Sequence, residues 1–373
     1  MTGALMGNVM VKSVRCGVIG LGSVSEKYVP HIRRLNLDGT PCEIVIGCDL
    51  RPGHAERARN WGIPKFTTDY REVLAHPDVD VVLILTSMQS HGQLTRDALN
   101  AGKHVLVEKP MSMDLAEAAE LVELAKVSKG HLVCAPHVTL SPTYQDMWRH
   151  IHNGDIGRPL TARGFYGWSG PDWDPFFYEP GGGPMFDLGV YNIATLTGLL
   201  GPCKRVMAMT GIAIPERIVN NKKMTVQTDD NFQLLMDFGN QCFAVVTTGF
   251  TIQRYDVPGI EVYGTEGTIN MLSDDWDPHG YKLWRNKDGF WQDHTSRARW
   301  QWTDGIRDLI QAIQHNRKPT NAPEHAYHVL EIMAKSMESG RTGQALPIVS
   351  SFTPVRFDKA ATKTAPHLDH APE

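Results

Sequence analysis

No charge of either sign dominates this chain: 37 lysines and arginines stand against 41 aspartates and glutamates, a formal net charge of −4. Without a basic surplus there is no electrostatic footprint for a phosphate backbone or an anionic lipid surface, so neither nucleic acid nor membrane is an expected partner. Long apolar runs are missing too. No uncharged stretch reaches the roughly 18 residues that a membrane-spanning helix needs. Residues 1–11 lack the basic start of a secretory signal and are broken by Gly3, Gly7 and Asn8. Cysteine is sparse and unpaired: Cys16, Cys42, Cys48, Cys134, Cys203 and Cys242 are scattered singly, with no C-x-x-C pair and no histidine at zinc-ligand spacing. They read as reduced thiols, so neither a disulfide frame nor a metal site is expected, and the cytoplasm is the expected location.

What is present is an ordinary globular composition, 373 residues with 42% hydrophobic. That length suggests two domains and can bury a core without staples. From residue 14 to about 135, short apolar runs alternate with helical spacing: 14–19 then 23–37, 43–48 then 53–61, 79–85 then 90–101, 104–107 then 114–128, and a last run at 131–134. Repeated strand-helix units predict a parallel sheet with helices on both faces, a doubly wound domain over 12–136. Beyond Pro136 the pattern changes to long alternating segments at 160–168, 230–238, 242–250, 259–263, 267–272 and 281–285, several joined by Gly- and Asn-containing turns. Residues 137–349 are therefore expected to form an α+β domain with a large, mostly antiparallel open sheet. Helices at 187–200, 303–316 and 323–339 should pack on one side of it, and 350–373 should form a loosely ordered tail.

Gly20-Leu21-Gly22-Ser23-Val24-Ser25 follows the first apolar strand and opens a helix, the context that gives a glycine-rich loop its meaning. Gly20 permits the tight turn and Gly22 lets the backbone approach a pyrophosphate resting on the helix N-terminus. Ser25 replaces the third glycine. Asp49, at the end of the second strand, can accept hydrogen bonds from adenosine ribose hydroxyls and repel a 2′-phosphate, favouring NAD over NADP. Arg51 points the other way, since a guanidinium there could hold a phosphate. The plain alternative is an ordinary glycine turn, with Asp49 capping the next segment.

Ligands of open parallel sheets bind outside the strand carboxyl ends, which singles out residues 85–91 and Glu108-Lys109-Pro110. Lys109 is expected to point at the nicotinamide region; a solvated surface charge is the alternative. Farther on, Gly181-Gly182-Gly183 leads into Asp187 and Tyr191, four residues apart, so a carboxylate and a phenol share one helix face. A dipole-favoured acid and a half-buried core tyrosine would account for the same pair.

Taken together, Gly20-x-Gly22, residues 86–91, Glu108-Lys109-Pro110, residues 154–157, Gly181–Gly183 and Asp187-x-Gly189-x-Tyr191 resemble the glucose-fructose oxidoreductase / inositol dehydrogenase / rhizopine catabolism (Gfo/Idh/MocA) family, in order over residues 12–345. The resemblance implies a Rossmann domain followed by an open-sheet domain, NAD(P), and hydride transfer at a carbinol carbon of a sugar, polyol or glycoside. It implies Lys109, Asp187 and Tyr191 as catalytic residues. The cofactor falls to Gly20, Gly22, Ser23, Val24, Asp49, Leu50, Arg51, Thr86, Ser87, Gln89, His91, Glu108 and Lys109. Three departures from the family pattern stand out. Ser87 occupies a common proline position, residues 137–142 lack a common arginine, and Tyr191 replaces the histidine of inositol-dehydrogenase-like members, as in glucose-fructose oxidoreductase and dihydrodiol dehydrogenases.

On this reading Tyr191 takes the hydroxyl proton, and its phenol, with a free pKa of about 10, needs the Lys109 ammonium beside it. Asp187 holds Lys109 or a substrate hydroxyl. Trp168, Asp172 and Trp173 interleave indoles with a carboxylate, a pattern suited to sugars, and join His137 and Asp187 as candidate substrate contacts; packing anchors are the equal alternative for the indoles. Arg254, Trp276 and His279 are weaker candidates, and His325 and His328 read as packing residues rather than metal ligands. Glycoside-oxidising members suggest C3 of a glucose-like ring, a position no spacing here encodes. Two other functions share the fold: a glycoside hydrolase with tightly held NAD, and a non-catalytic NAD-binding regulator. An exposed sheet face predicts a homodimer or homotetramer.

Overall fold

The computed structural model describes residues 12–295 and 300–358. Six strands, β1 (Val14–Ile19), β2 (Cys42–Cys48), β3 (Phe66–Thr67), β4 (Val81–Ile84), β5 (His104–Val107) and β6 (Leu132–Cys134), form an all-parallel sheet in the order β3-β2-β1-β4-β5-β6. Its crossovers are α1 (Ser25–Leu37), α2 (His54–Asn60), α3 (Tyr70–Ala75), α4 (His91–Asn100) and α5 (Leu115–Val127). All four residues of β4 are buried, as a strand covered on both faces requires. Strand order reverses between β1 and β4, which opens the crevice where such sheets bind ligands. The two-residue β3 and one-and-a-half-turn α3 were not anticipated; both are too short to carry a period.

After α6 (Pro142–His152), capped by the Ser141 hydroxyl with Pro142 in its first turn, come β7 (Pro159–Gly167), α7 (Val190–Leu200), β8 (Arg205–Gly211), β9 (Glu216–Val219), β10 (Lys222–Thr225), β11 (Asn231–Gly239), β12 (Cys242–Gly249), β13 (Ile260–Gly264), β14 (Gly267–Met271), β15 (Gly280–Arg285) and β16 (Trp291–Thr295). The chain ends in α8 (Gly305–Gln314), α9 (Pro323–Thr342) and β17 (Leu346–Pro347). Nine strands make one sheet, β16-β15-β14-β13-β7-β12-β11-β8-β17, antiparallel at every pairing except β7 with β12. β9 and β10 form a separate hairpin. In β11, Phe232, Leu234, Met236 and Phe238 turn inward while Leu235 faces out, the period of two expected of a half-covered sheet. Packed on the inner face are α7 and α9.

Three expectations need correction. The helix placed at 303–316 does not cover the second sheet. Ile306, Leu309 and Ile310 of α8 instead join Val18, Leu83, Leu106 and Val133 in the core of the first sheet, beside α1. Helix 187–200 is not one regular helix: Met185–Gly189 makes a wide π-type turn, and α7 begins at Val190. Nor are residues 350–358 loose. The Glu331 carboxylate accepts from the Val349 and Ser350 N–H groups, Phe352 stacks on His325, and Phe357 packs edge-on against Tyr144 and Trp148. The remainder of the expected tail lies outside the described residues.

Candidate active site

The turn between β1 and α1 is built for a phosphate. Gly20 has φ +96°, and a Cβ there would lie 2.6 Å from the Leu85 carbonyl oxygen, so no other residue fits between β1 and the end of β4. At Gly22 a Cβ would meet only Arg51 Nη2, at 3.9 Å, leaving the backbone open at the start of α1, the positive end of the helix dipole. Ser25, in the place of the third glycine, is fully buried, and its hydroxyl donates to the Gly22 carbonyl.

Asp49 is 6% exposed and accepts from Leu21 N–H at 2.9 Å, tying the end of β2 to the glycine loop. Arg51 Nε and Nη2 donate to its two oxygens at 3.0 and 3.2 Å, and Arg51 N–H adds a further bond. Burial opposes ionisation of Asp49, but the hydrogen bonds from Arg51 and Leu21 outweigh it and hold the carboxyl well below the usual range. The sequence left Arg51 open to a 2′-phosphate; here its guanidinium grips Asp49 in a two-bond fork. Leu50 is 85% exposed at the same crevice. The loop, the open backbone and the Asp49 carboxylate fit a dinucleotide without a 2′-phosphate.

Thr86, Ser87 and Gln89 follow β4 on the same edge, with Thr86 Oγ1 2.7 Å from Ser90 Oγ. His91 is buried, with Nδ1 2.7 Å from Pro110 O and Nε2 3.1 Å from Thr86 O, so it braces two loops rather than facing a ligand. Burial holds its pKa down despite those carbonyls. Glu108 is likewise committed: it accepts from the Tyr28 hydroxyl at 2.8 Å and from Lys109 N–H at 3.2 Å.

Lys109 reaches across to the second half of the chain. Its Nζ donates to Asp187 Oδ1 and O, both at 3.0 Å, approaches Phe186 O at 3.4 Å, and stands 5.5 Å from the Tyr191 ring centroid. The solvated alternative fails for Lys109, whose side chain is 11% exposed. The π-type turn that carries Asp187 is delivered by the triple glycine: Gly181 and Gly183 have φ of +93° and +97°, and a Cβ on Gly182 would meet Phe176 O at 2.2 Å. Lys109, Asp187 and Tyr191 thus come together, although through a wide turn and not by spacing on one regular helix. The ammonium sits over the Tyr191 ring face. Burial, followed by Glu108 and Asp187, raises the Tyr191 pKa well above its ordinary value, so the phenol is protonated at neutral pH.

Beside this cluster lies a cavity of about 210 Å³ lined by Tyr166, Trp168, Asp187, Leu188, Tyr191, Trp276 and Trp302. Trp276 stacks on Tyr166 at 6.4 Å, and Trp302 meets Tyr28 edge-on at 5.7 Å. Tyr166 opens the aromatic segment that supplied Trp168, Asp172 and Trp173, although it was not itself singled out, whereas Tyr28 and Trp302 were not among the sequence candidates and carry no local signal. Two further candidates stand off from the cavity. Trp173 is 54% exposed and leans on Trp168 at 5.4 Å, and Asp172 is exposed. His137 is not at the wall either: its buried ring packs against Gly305, neither nitrogen has a hydrogen-bond partner among the described residues, and burial pushes its pKa down to about 4. His279 is exposed beside Asp277, while Arg254 lines a wider neighbouring cavity. His325 pairs with Thr197 Oγ1, and His328 Nε2 accepts from Cys203 N–H, both packing roles.

Comparison with known proteins gives the chain's relatives. Residues 14–135 match the model of an oxidoreductase family with an NAD-binding Rossmann fold, and residues 144–270 match the GFO/IDH/MocA C-terminal domain. A 1,5-anhydro-D-fructose reductase of Ensifer adhaerens is 28% identical over 343 residues, 90% of this chain and 98% of the relative. A scyllo-inositol 2-dehydrogenase (NAD(+)) of Bacillus subtilis (strain 168) is 31% identical over 264 residues, 70% and 74% of the two chains. The solved structure of a levoglucosan dehydrogenase with NADH and levoglucosan superposes with a TM-score of 0.81 over 90% of this chain and all of that one, at 21% identity, a likeness of fold.

Proposed function

We propose the activity from one premise: the chain belongs to the Gfo/Idh/MocA family of NAD-binding oxidoreductases. It moves a hydride between NAD and a secondary hydroxyl of a sugar, polyol or glycoside. The observation that carries this is the Lys109–Asp187–Tyr191 cluster, which opens into an aromatic-lined cavity at the carboxyl edge of the parallel sheet. The relatives' own substrates, an anhydroketose and an inositol, are likewise neutral ring compounds bearing hydroxyl or carbonyl groups.

NAD, when bound, supplies the hydride acceptor; Gly20 and Gly22 would hold its pyrophosphate and Asp49 its adenosine ribose. Lys109 would donate to the substrate oxygen, with Asp187 fixing the ammonium. In the direction of reduction the protonated Tyr191 gives its proton to the developing alkoxide. Oxidation runs the same transfer backwards, and the Lys109 ammonium, 5.5 Å from the Tyr191 ring centroid, is the cation that would oppose the phenolate charge. Tyr166, Trp168 and Trp276 offer ring faces to the C–H surface of the sugar.

A screen of sugars, polyols and glycosides at 340 nm with NAD and NADP tests this reading. NADH accumulating in step with oxidised product is the expected result, and neither a hydrolase nor a sensor would give it. A full screen without NADH formation would overturn the reading. Two further parts belong to the proposal. Met209 (77% exposed), Leu235, Met207 and Phe243 lie on the outer face of β8, β11 and β12, an apolar patch that a second copy would cover, so light scattering should report a dimer or tetramer. All six cysteines are free and buried, which suits the reducing cytoplasm. No helix among the described residues is long and apolar enough to cross a membrane.

A further inference from the structure

A second cavity of about 630 Å³ adjoins the first, and the two share Tyr166 and Trp168. Its walls come from the end of β7, the segment that follows β12, and the turn between β14 and β15. The inner cavity, about 210 Å³, falls below the roughly 300 Å³ at which ligand pockets usually begin, which is room for one sugar ring; the outer one is well inside that range.

The outer lining is polar, with Arg254, Asp256 and Asp274 supplying its charge. Arg254 is exposed and forms no ion pair among the described residues, so its donors remain available. The Tyr255 hydroxyl donates to Asp274, which fixes that carboxylate at the wall with acceptor capacity to spare. Two carboxylates against one guanidinium leave the wall net negative. That repels a phosphate or carboxylate group and suits hydroxyls, which can donate to the acids and accept from the arginine. An alkyl or aryl group would leave these polar side chains unpaired. Trp168 lines both cavities, as does Tyr166.

Building on the dehydrogenase reading, we infer that the outer cavity is a subsite for a second, uncharged sugar ring, so that the preferred substrate is a disaccharide whose oxidised ring lies against Tyr191 and whose other ring is held by Arg254 and Asp256.

The test compares kcat/KM for D-glucose, D-galactose, maltose, cellobiose, trehalose, lactose and glucose 6-phosphate, in the wild type, Arg254→Ala and Asp256→Asn. Both substituted residues are exposed and outside the reacting cluster. At least one disaccharide should exceed both monosaccharides by tenfold or more. Arg254→Ala should raise its KM about tenfold with kcat within twofold, and leave monosaccharide kinetics unchanged; Asp256→Asn should act in the same direction. Monosaccharides turned over as well as every disaccharide, a preference for the sugar phosphate, or variants that weaken both classes equally would overturn the subsite while the dehydrogenase reading stands. If none of these compounds, nor any in the wider screen, reduces NAD, both fail together.

Discussion

Asp275 offers the sharpest test of the physical reasoning, because its carboxylate is buried with no cation paired to it among the described residues. It sits in the turn between β14 and β15, 1% exposed. One oxygen accepts from Thr195 Oγ1 at 2.8 Å and Asn192 Nδ2 at 3.2 Å; the other has no partner among the described residues. Burial pushes its pKa up to about 7, against hydrogen bonds from Thr195 and Asn192 that favour the ion, with neighbouring Asp274 adding to the rise. Between about pH 4 and 7 the folded protein therefore keeps a proton that the unfolded chain has lost. The stability this contributes is complete below the unfolded pKa and is lost as pH rises to 7. From pH 5 to 8 the loss covers about two pH units at about 1.4 kcal/mol each, on the order of 3 kcal/mol. The amide introduced by Asp275→Asn does not titrate, can still accept from Thr195 and Asn192, and places an NH₂ group where the unpartnered oxygen stood. Urea unfolding of wild type and Asp275→Asn at pH 5 and pH 8 should show the variant gaining on the wild type by that amount at the higher pH. Buried histidines held near a pKa of 4, such as His137 and His328, act with the opposite sign, but they are common to both proteins and cancel in the difference. A difference that is the same at both pH values would refute the reasoning.

Other expectations follow from the site. Lys109→Met and Tyr191→Phe should each lower kcat by roughly 10²–10⁴-fold, the usual value of positioned proton transfer, while NAD affinity measured by fluorescence titration stays nearly unchanged. Asp49→Ser should raise the KM for NAD about 10- to 100-fold, the worth of one or two hydrogen bonds to a charged group. It also releases Arg51, so the same kinetics run with NADP should show the gap between cofactors narrowing. Gly20→Ala should destabilise the fold by about 2 kcal/mol or more in denaturant titrations, since φ +96° and the Leu85 carbonyl both oppose a side chain there.

Much of the first sheet could be read from the chain because its strands are local in their cause. An apolar run, a glycine turn and a helical period lie within 25 residues of each other, and Asp49 needed only its place at the end of β2. The partners of Lys109 were visible as motifs, yet their geometry was not. The π-type turn at Met185–Gly189 is set by contacts of the triple glycine with residues 176–177, which no spacing announces. Tyr28 and Trp302 escaped notice because they reach the site from the first turn of α1 and from a segment 274 residues later, joined only by tertiary packing. His137 misled for the same reason. It stands at a strand end where ligands are expected, and α8, arriving from far along the chain, buries it. The strand β8 has a clean alternation in which methionines face solvent, and exposed Met207 and Met209 disguise the period.

The docking of α8 on the parallel sheet has a bearing on synthesis. A ribosome that has released residues 1–136 has produced every strand of that sheet but not the helix that covers Val18, Leu83, Leu106 and Val133. That apolar surface, shared between α1 and α8, stays incompletely covered until residue 314 has emerged, so the cofactor half of the molecule cannot mature ahead of the rest. A gene truncated at the apparent boundary would yield an aggregating fragment, and swapping this half between relatives would require carrying the distant helix along with it.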